Sequence, residues 1–181
     1  MAKSVQFALF LLLSYQLLSL VSATPIANFC GKTHDPRLCM NAINTFSGAY
    51  PATINAQAML RMHLSAISKR CVSAKTRALR MAKGAGSSTR MSLKTCAELY
   101  NNAVDLIGVS MRALNANDGQ TGQMVQIMLQ EIRQSAQQCD VQFQRPGLSN
   151  PLSHVSGSIV KMTVNADDLN NLMNSNPNLF H

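Results

Sequence analysis

The chain has 181 residues, of which 46% are hydrophobic, 5% aromatic and 13% charged, and its 16 Lys and Arg against eight Asp and Glu give a formal net charge of +8. This length and apolar content fit one domain with its own core rather than a miniature scaffold held only by disulfides. With no Trp, few aromatics and 11 Met, the composition favours helix-on-helix packing over a β-sandwich, and basic residues without interleaved aromatics argue against nucleic acid as a partner.

Residues 1–23 read as a secretory signal peptide, with Lys3 near the start, an apolar run from Phe7 to Leu20 and the small residues Val21, Ser22 and Ala23 before the cleavage point. The run is shorter than the ~20 residues that span a bilayer, so no stable membrane insertion is expected. The tail from Asn174 to His181 resembles neither a lipid-anchor nor a retention signal. The expected product is a secreted protein of residues 24–181, exported to the extracellular space.

From about residue 25 to residue 50, Asp35, Pro36, Gly48 and Pro51 break the chain into short pieces around the sequence CGKTHDPRLC, which predicts a small helical extension. Residues 52–175 then carry four apolar stripes at steps of three and four. The first runs Leu60, Leu64, Ile67, Cys71, Ala74, Ala78, Met81 and Ala85; the second Leu93, Ala97, Tyr100, Val104, Ile107, Met111 and Leu114. The third is Val125, Met128, Ile132, Ala136, Cys139 and Phe143, and the fourth Leu152, Val155, Ile159, Met162, Ala166, Leu169 and Met173. Met124, Met128, Met162 and Met173 are taken as core filling.

The punctuation agrees. Gly84 and Gly86 end the first stripe, and Ser88, Thr89 or Ser92 can cap the second helix. Asn117, Asp118 or Thr121 can cap the third, Pro146 and Gly147 stop it, and Asn150 followed by Pro151 reads as the start of the fourth. Short connections force antiparallel neighbours, so the fold class is all-α, an up-down-up-down four-helix bundle with helices of similar length.

Five cysteines cannot all pair within one chain. Cys30 and Cys39 are close in sequence with Pro36 between them. Cys96 lies near the start of the second helix and Cys139 near the end of the third, adjacent in space if those helices are antiparallel. Cys71 sits in mid-stripe, where a buried free thiol is usual, but a rival pairing of Cys71 with Cys96 or Cys139 stays open at this point.

Charge is unevenly placed. No acidic residue occurs between Asp35 and Glu98, whereas Arg61, Lys69, Arg70, Lys75, Arg77, Arg80 and Lys83 fall off the first helix's apolar stripe. They predict a positive outer face that attracts an acidic partner, an anionic polysaccharide or an anionic membrane surface among them, or one that only keeps the protein soluble.

Chemistry is poorly represented. His34, His63, His154 and His181 are scattered, with no HExxH, no zinc-spaced Cys and His and no nucleophile elbow. His63 borders the first stripe and reads as packed, and the adjacent Asp167 and Asp168 point to different sides of a helix. The stripes contain no Glu or Asp, so a di-iron bundle is not expected. No enzyme activity, cofactor or metal is expected.

Cys30, Thr33, Pro36 and Cys39, preceded by Ile26, resemble the opening motif of the plant invertase and pectin methylesterase inhibitor family. The run CAELYNNAV from Cys96 to Val104 is similar to its second-helix motif, and Cys139 with Phe143 to its third-helix motif. The resemblance implies a four-helix bundle preceded by a short N-terminal helical hairpin, with bridges Cys30 to Cys39 and Cys96 to Cys139. It also implies a secreted inhibitor that covers the active-site cleft of a cell-wall carbohydrate enzyme in a one-to-one complex. Members directed at invertase resemble one another in a Pro-Lys-Phe motif between the second and third helices, where this chain has Asp118, Gly119, Gln120 and Thr121. Members directed at pectin methylesterase commonly carry a Ser-Ala-Ala-Leu-Thr stretch before the third-helix cysteine, where this chain reads MLQEIRQSAQQC. Pectin methylesterase is the favoured target and acid invertase the alternative. Outward positions on the second and third helices, Glu98, Asn102, Asp105, Gln130, Gln134, Gln137 and Asp140, are the candidate contacts.

Overall fold

The computed structural model of the chain describes residues 25–46, 48, 50–116, 118–144 and 147–175. The expected signal peptide, the last six residues, the candidate cap Asn117 and the candidate stop Pro146 lie outside the described residues. Helical residues 25–30 form α1, followed by α2 (Pro36–Asn44), α3 (Ala56–Gly84), α4 (Ser87–Ala116), α5 (Thr121–Val141) and α6 (Ser153–Ser175). No strand occurs among the described residues.

The fold is an all-α four-helix bundle with a small helical hairpin in front. α3 packs on α4 and α6, and α5 packs on the same two, so antiparallel neighbours close a square. α2 lies against α3 and α6. The bundle core is the set of predicted stripes: Leu60, Leu64, Ile67, Cys71, Ala74 and Ala78 on α3 are buried, as are Leu93, Tyr100, Ile107 and Leu114 on α4. Val125, Ile132 and Ala136 of α5 meet Ile159, Ala166 and Leu169 of α6 in the same core.

Several stripe positions fall at the edge of the core. Met81, Val104, Met111, Met128 and Val155 are half-buried, because a neighbouring residue takes the central place, Ala82 beside Met81 and Leu129 beside Met128. Met124 departs further: it is 44% exposed rather than core filling, since Val125 next to it points inward.

The helices are not of one length. α3 and α4 have 29 and 30 residues, whereas α5 and α6 have 21 and 23. Ser92 Oγ donates to the carbonyl of Gln142, one residue past α5, at 3.0 Å, so the tip of the α3–α4 hairpin beyond Ser92 projects past the shorter pair. Its inner face carries the small buried side chains Ala78 and Ala82, which two helices can cover without a third.

Local signals set the ends. Asn55 Oδ1 accepts from the Ala58 amide at 2.8 Å to cap α3, and Asp35 Oδ1 accepts from the Leu38 amide at 2.9 Å to cap α2 ahead of Pro36. α4 starts at Ser87, upstream of its three candidate caps. The residue before α5 is Gln120, whose side chain makes no capping bond. Asp118 Oδ1 instead accepts from the Gln120 amide, with Thr121 Oγ1 3.0 Å away. Asn150 closes a turn by accepting from the Leu152 amide at 2.8 Å, so α6 begins at Ser153 rather than at Pro151. Gly147 in the same connection has φ +80°, a left-handed conformation that favours glycine.

Candidate interaction surface

Two disulfides fix the frame. Cys30 and Cys39 join α1 to α2 with Cα atoms 5.4 Å apart, and Cys96 and Cys139 join α4 to α5 at 4.8 Å. Cys71 is a buried free thiol, so the rival pairing does not occur. Burial pushes its thiol up to about 12, which removes the thiolate that redox or nucleophilic chemistry would need.

Around the second bridge a polar network locks three helices. The Tyr100 hydroxyl is 2.8 Å from Ser156 Oγ on α6 and 3.4 Å from Cys139 Sγ on α5, and Tyr100 is fully buried. Asn102 Nδ2 donates to Ser135 Oγ at 3.3 Å, which sets α4 beside α5 in the antiparallel register that the disulfide begins. Further along α6, buried His63 sits 3.0 Å from the Met162 carbonyl through Nε2, with Nδ1 unpartnered. Desolvation lowers its value from 6.5 to about 4, against the pull of that carbonyl, so His63 is a neutral packing residue at ordinary pH.

The register places the candidate contacts on adjoining faces. Glu98, Asn102 and Asp105 on α4 are exposed, as are Gln130, Gln134 and Gln137 on α5. Asp140 differs: it is half-buried and accepts a hydrogen bond from Asn150, because it faces the α5–α6 connection rather than solvent. Two apolar side chains that the stripe analysis did not mark as exposed join this surface. Ile127 is 47% and Val141 51% exposed, and with Gln134 they fall at steps of seven along the outer line of α5. Their signal was present in the sequence as apolar residues next to polar ones and off the core stripe.

The basic residues divide into three groups. Arg77, Arg80 and Lys83 are exposed on the outer face of α3 toward the projecting tip. Lys75 and Arg61 are half-buried, contrary to a uniformly outward face: Lys75 Nζ donates to Asn101 Oδ1 on α4 at 2.7 Å, and Arg61 lines a shallow groove with Phe46 and Pro51. Lys69 and Arg70 are exposed on the flank toward α2 and α6, with Lys69 Nζ donating to the Thr45 carbonyl at 3.1 Å.

Asp167 and Asp168 are turned to different partners. Asp167 lies 3.8 Å from Arg133 of α5, and burial raises its carboxyl from its ordinary value despite that cation. Asp168 Oδ2 accepts from the His34 amide at 2.7 Å. Among the described residues no group of three or more His, Cys, Asp or Glu is placed to hold a metal, and no helix is long and apolar enough to cross a membrane.

The described residues thus form a disulfide-stapled helical bundle whose titratable groups are scattered and whose polar residues are spread over its outer faces. A family model described as plant invertase/pectin methylesterase inhibitor matches residues 24–172. The chain belongs to that family. The crystal structure of mutant form A of a pectin methylesterase inhibitor from Arabidopsis is similar with a TM-score of 0.65 and 17% identity, covering 81% of this chain and 95% of that one. A second crystal structure, of a pectin methylesterase inhibitor from Arabidopsis thaliana, gives a TM-score of 0.59 and 17% identity over 82% and 95%. At that identity the likeness carries the fold. A comparison with curated proteins returns no match.

Proposed function

We propose that the protein is a secreted inhibitor of pectin methylesterase that blocks the enzyme's active-site cleft in a one-to-one complex, without chemistry of its own. The observation that carries this reading is the family match over residues 24–172. In this reading residues 1–23 direct export and residues 24–181 form the inhibitor domain of the apoplast. The contact surface is the outer face of α4 and α5, built from Glu98, Asn102, Asp105, Gln130, Gln134 and Gln137, with the exposed apolar Ile127 and Val141 about one turn beyond either end of the α5 row. The staple between Cys96 and Cys139 supports the reading physically, because a surface held rigid before binding loses little entropy on association. Exposed apolar side chains beside polar ones add area that a protein partner can bury.

Acid invertase is the alternative target, less favoured because Asp118, Gly119, Gln120 and Thr121 stand where invertase-directed members carry their Pro-Lys-Phe motif. Titration of the purified protein against a pectin methylesterase and an acid invertase side by side tests the choice. Saturating loss of pectin methylesterase activity at one equivalent is the expected result. Inhibition of neither enzyme at micromolar protein would overturn the reading.

A further inference from the structure

A cleft of about 790 Å³ opens between α2, α3 and α6, on the side of the molecule away from α4 and α5. Its floor is apolar, formed by Leu38, Ala42, Ala66 and Met162, and its rim is cationic, with Lys69 and Arg70 from α3 and Lys161 from α6, where His154 also lines it. Asp35 is the acidic residue of the lining, and its carboxylate is already engaged as the cap of α2. The α2 wall is fastened at both ends. Asn165 holds the backbone of Asp35 at its start, and Lys69 Nζ holds the Thr45 carbonyl at its finish.

We propose that this cleft binds a short stretch of carboxylate-bearing polysaccharide, a de-esterified uronan. The volume falls within the ~300–1,000 Å³ of small-ligand sites. A sugar chain presents apolar ring faces with hydroxyls and acids at the edges, which matches an apolar floor under a cationic rim lined by the polar side chains of Ser73, Asn41 and Ser158. The choice of a uronan over another polyanion rests on the inhibitor reading. A pectin methylesterase turns neutral methyl esters into carboxylates, so its product is the polyanion that such a cleft would meet. The inhibitor would then be retained where its target has already acted, with the α4–α5 face left free for the enzyme.

Gly157 makes the site testable. It lines the cleft from α6, and a Cβ built there meets nothing within 4 Å, so a side chain enters the cleft without disturbing the bundle. Binding of de-esterified oligogalacturonate and of its fully methyl-esterified form is measured by calorimetry at low ionic strength, with anionic phospholipid vesicles as a third probe. The de-esterified form should bind at least about tenfold more tightly than the ester, and Gly157→Glu should weaken it by about tenfold or more. Gly157→Ala, with the same melting temperature or higher, should bind normally. Arg77→Glu and Arg80→Glu, outside the cleft, should change binding by less than about threefold.

Equal binding of ester and acid would overturn the proposal, as would Arg77→Glu or Arg80→Glu weakening binding as much as Gly157→Glu. So would vesicle binding abolished by Gly157→Glu in a protein that does not bind oligogalacturonate. Pectin methylesterase inhibition, assayed on the same variants, is read separately: Gly157→Glu retains it if the enzyme contacts lie on α4 and α5, whatever the saccharide result.

Discussion

The side-chain amide of Asn165 grips the backbone of Asp35 from both sides. Its Oδ1 accepts from the Asp35 amide at 2.9 Å and its Nδ2 donates to the Asp35 carbonyl at 2.8 Å. One buried residue of the last helix thereby docks the disulfide-closed N-terminal loop, and the neighbouring Asp168 adds a third bond through the His34 amide.

Asn165→Ala removes two of these bonds and leaves partly buried backbone groups unpaired, at a cost of about 2–4 kcal/mol. Thermal unfolding should show the loss, and amide exchange should quicken first in residues 33–40. An unchanged melting temperature would mean that apolar packing and the remaining bonds of Asp168 and Lys69 dock the hairpin without the Asn165 grip.

Cys96 and Cys139 close a loop with a sequence separation of 43. Chain-entropy reasoning gives about 4 kcal/mol for this bridge, so the double substitution Cys96→Ala with Cys139→Ala should lower stability by up to that amount. Cys71 behaves differently: its buried, protonated thiol should resist maleimide in the native protein and react once the chain is unfolded.

Tyr100→Phe keeps the ring and removes the hydroxyl that meets Ser156 Oγ. Ser156 is fully buried, and its orphaned hydroxyl should cost about 1–3 kcal/mol. Denaturant unfolding measures this, with an unchanged m value as the check that the native state is intact.

His63 gives stability a pH dependence. Its folded value is about 4 and its ordinary value 6.5, so between those values the unfolded chain binds a proton that the native state does not. Stability therefore falls as pH drops from 6.5 to about 4, by about 3 kcal/mol in all, and this contribution is constant below that window. Asp167, whose value is raised on folding, works in the opposite sense, since its relative stabilisation is lost as pH rises through the raised value. Denaturant unfolding across pH should show the His63 slope, and His63→Phe should flatten it.

The bundle was legible because each helix repeats a core residue every three or four positions, whereas the caps were less so: Asn55 caps α3 without having stood out in the sequence, and α4 and α6 begin at Ser87 and Ser153 rather than at the expected caps. The division of the surface was not legible. Lys75 and Arg77 look alike in sequence, yet one reaches Asn101 on a neighbouring helix and the other faces solvent. The cleft needs three elements from distant parts of the chain, and the Asn165 grip spans 130 positions, so no local pattern announces either. Ile127 could be seen as an apolar residue off the stripe, but its exposure depends on nothing packing outside α5.

The central claim is that the α4–α5 face covers an enzyme's cleft. The combined substitution Glu98→Lys, Asp105→Lys and Gln134→Lys, at exposed positions that leave the core untouched, tests it through the inhibition constant for pectin methylesterase. The account predicts weakening by about a hundredfold or more with an unchanged melting temperature. Undiminished inhibition by this variant would contradict it.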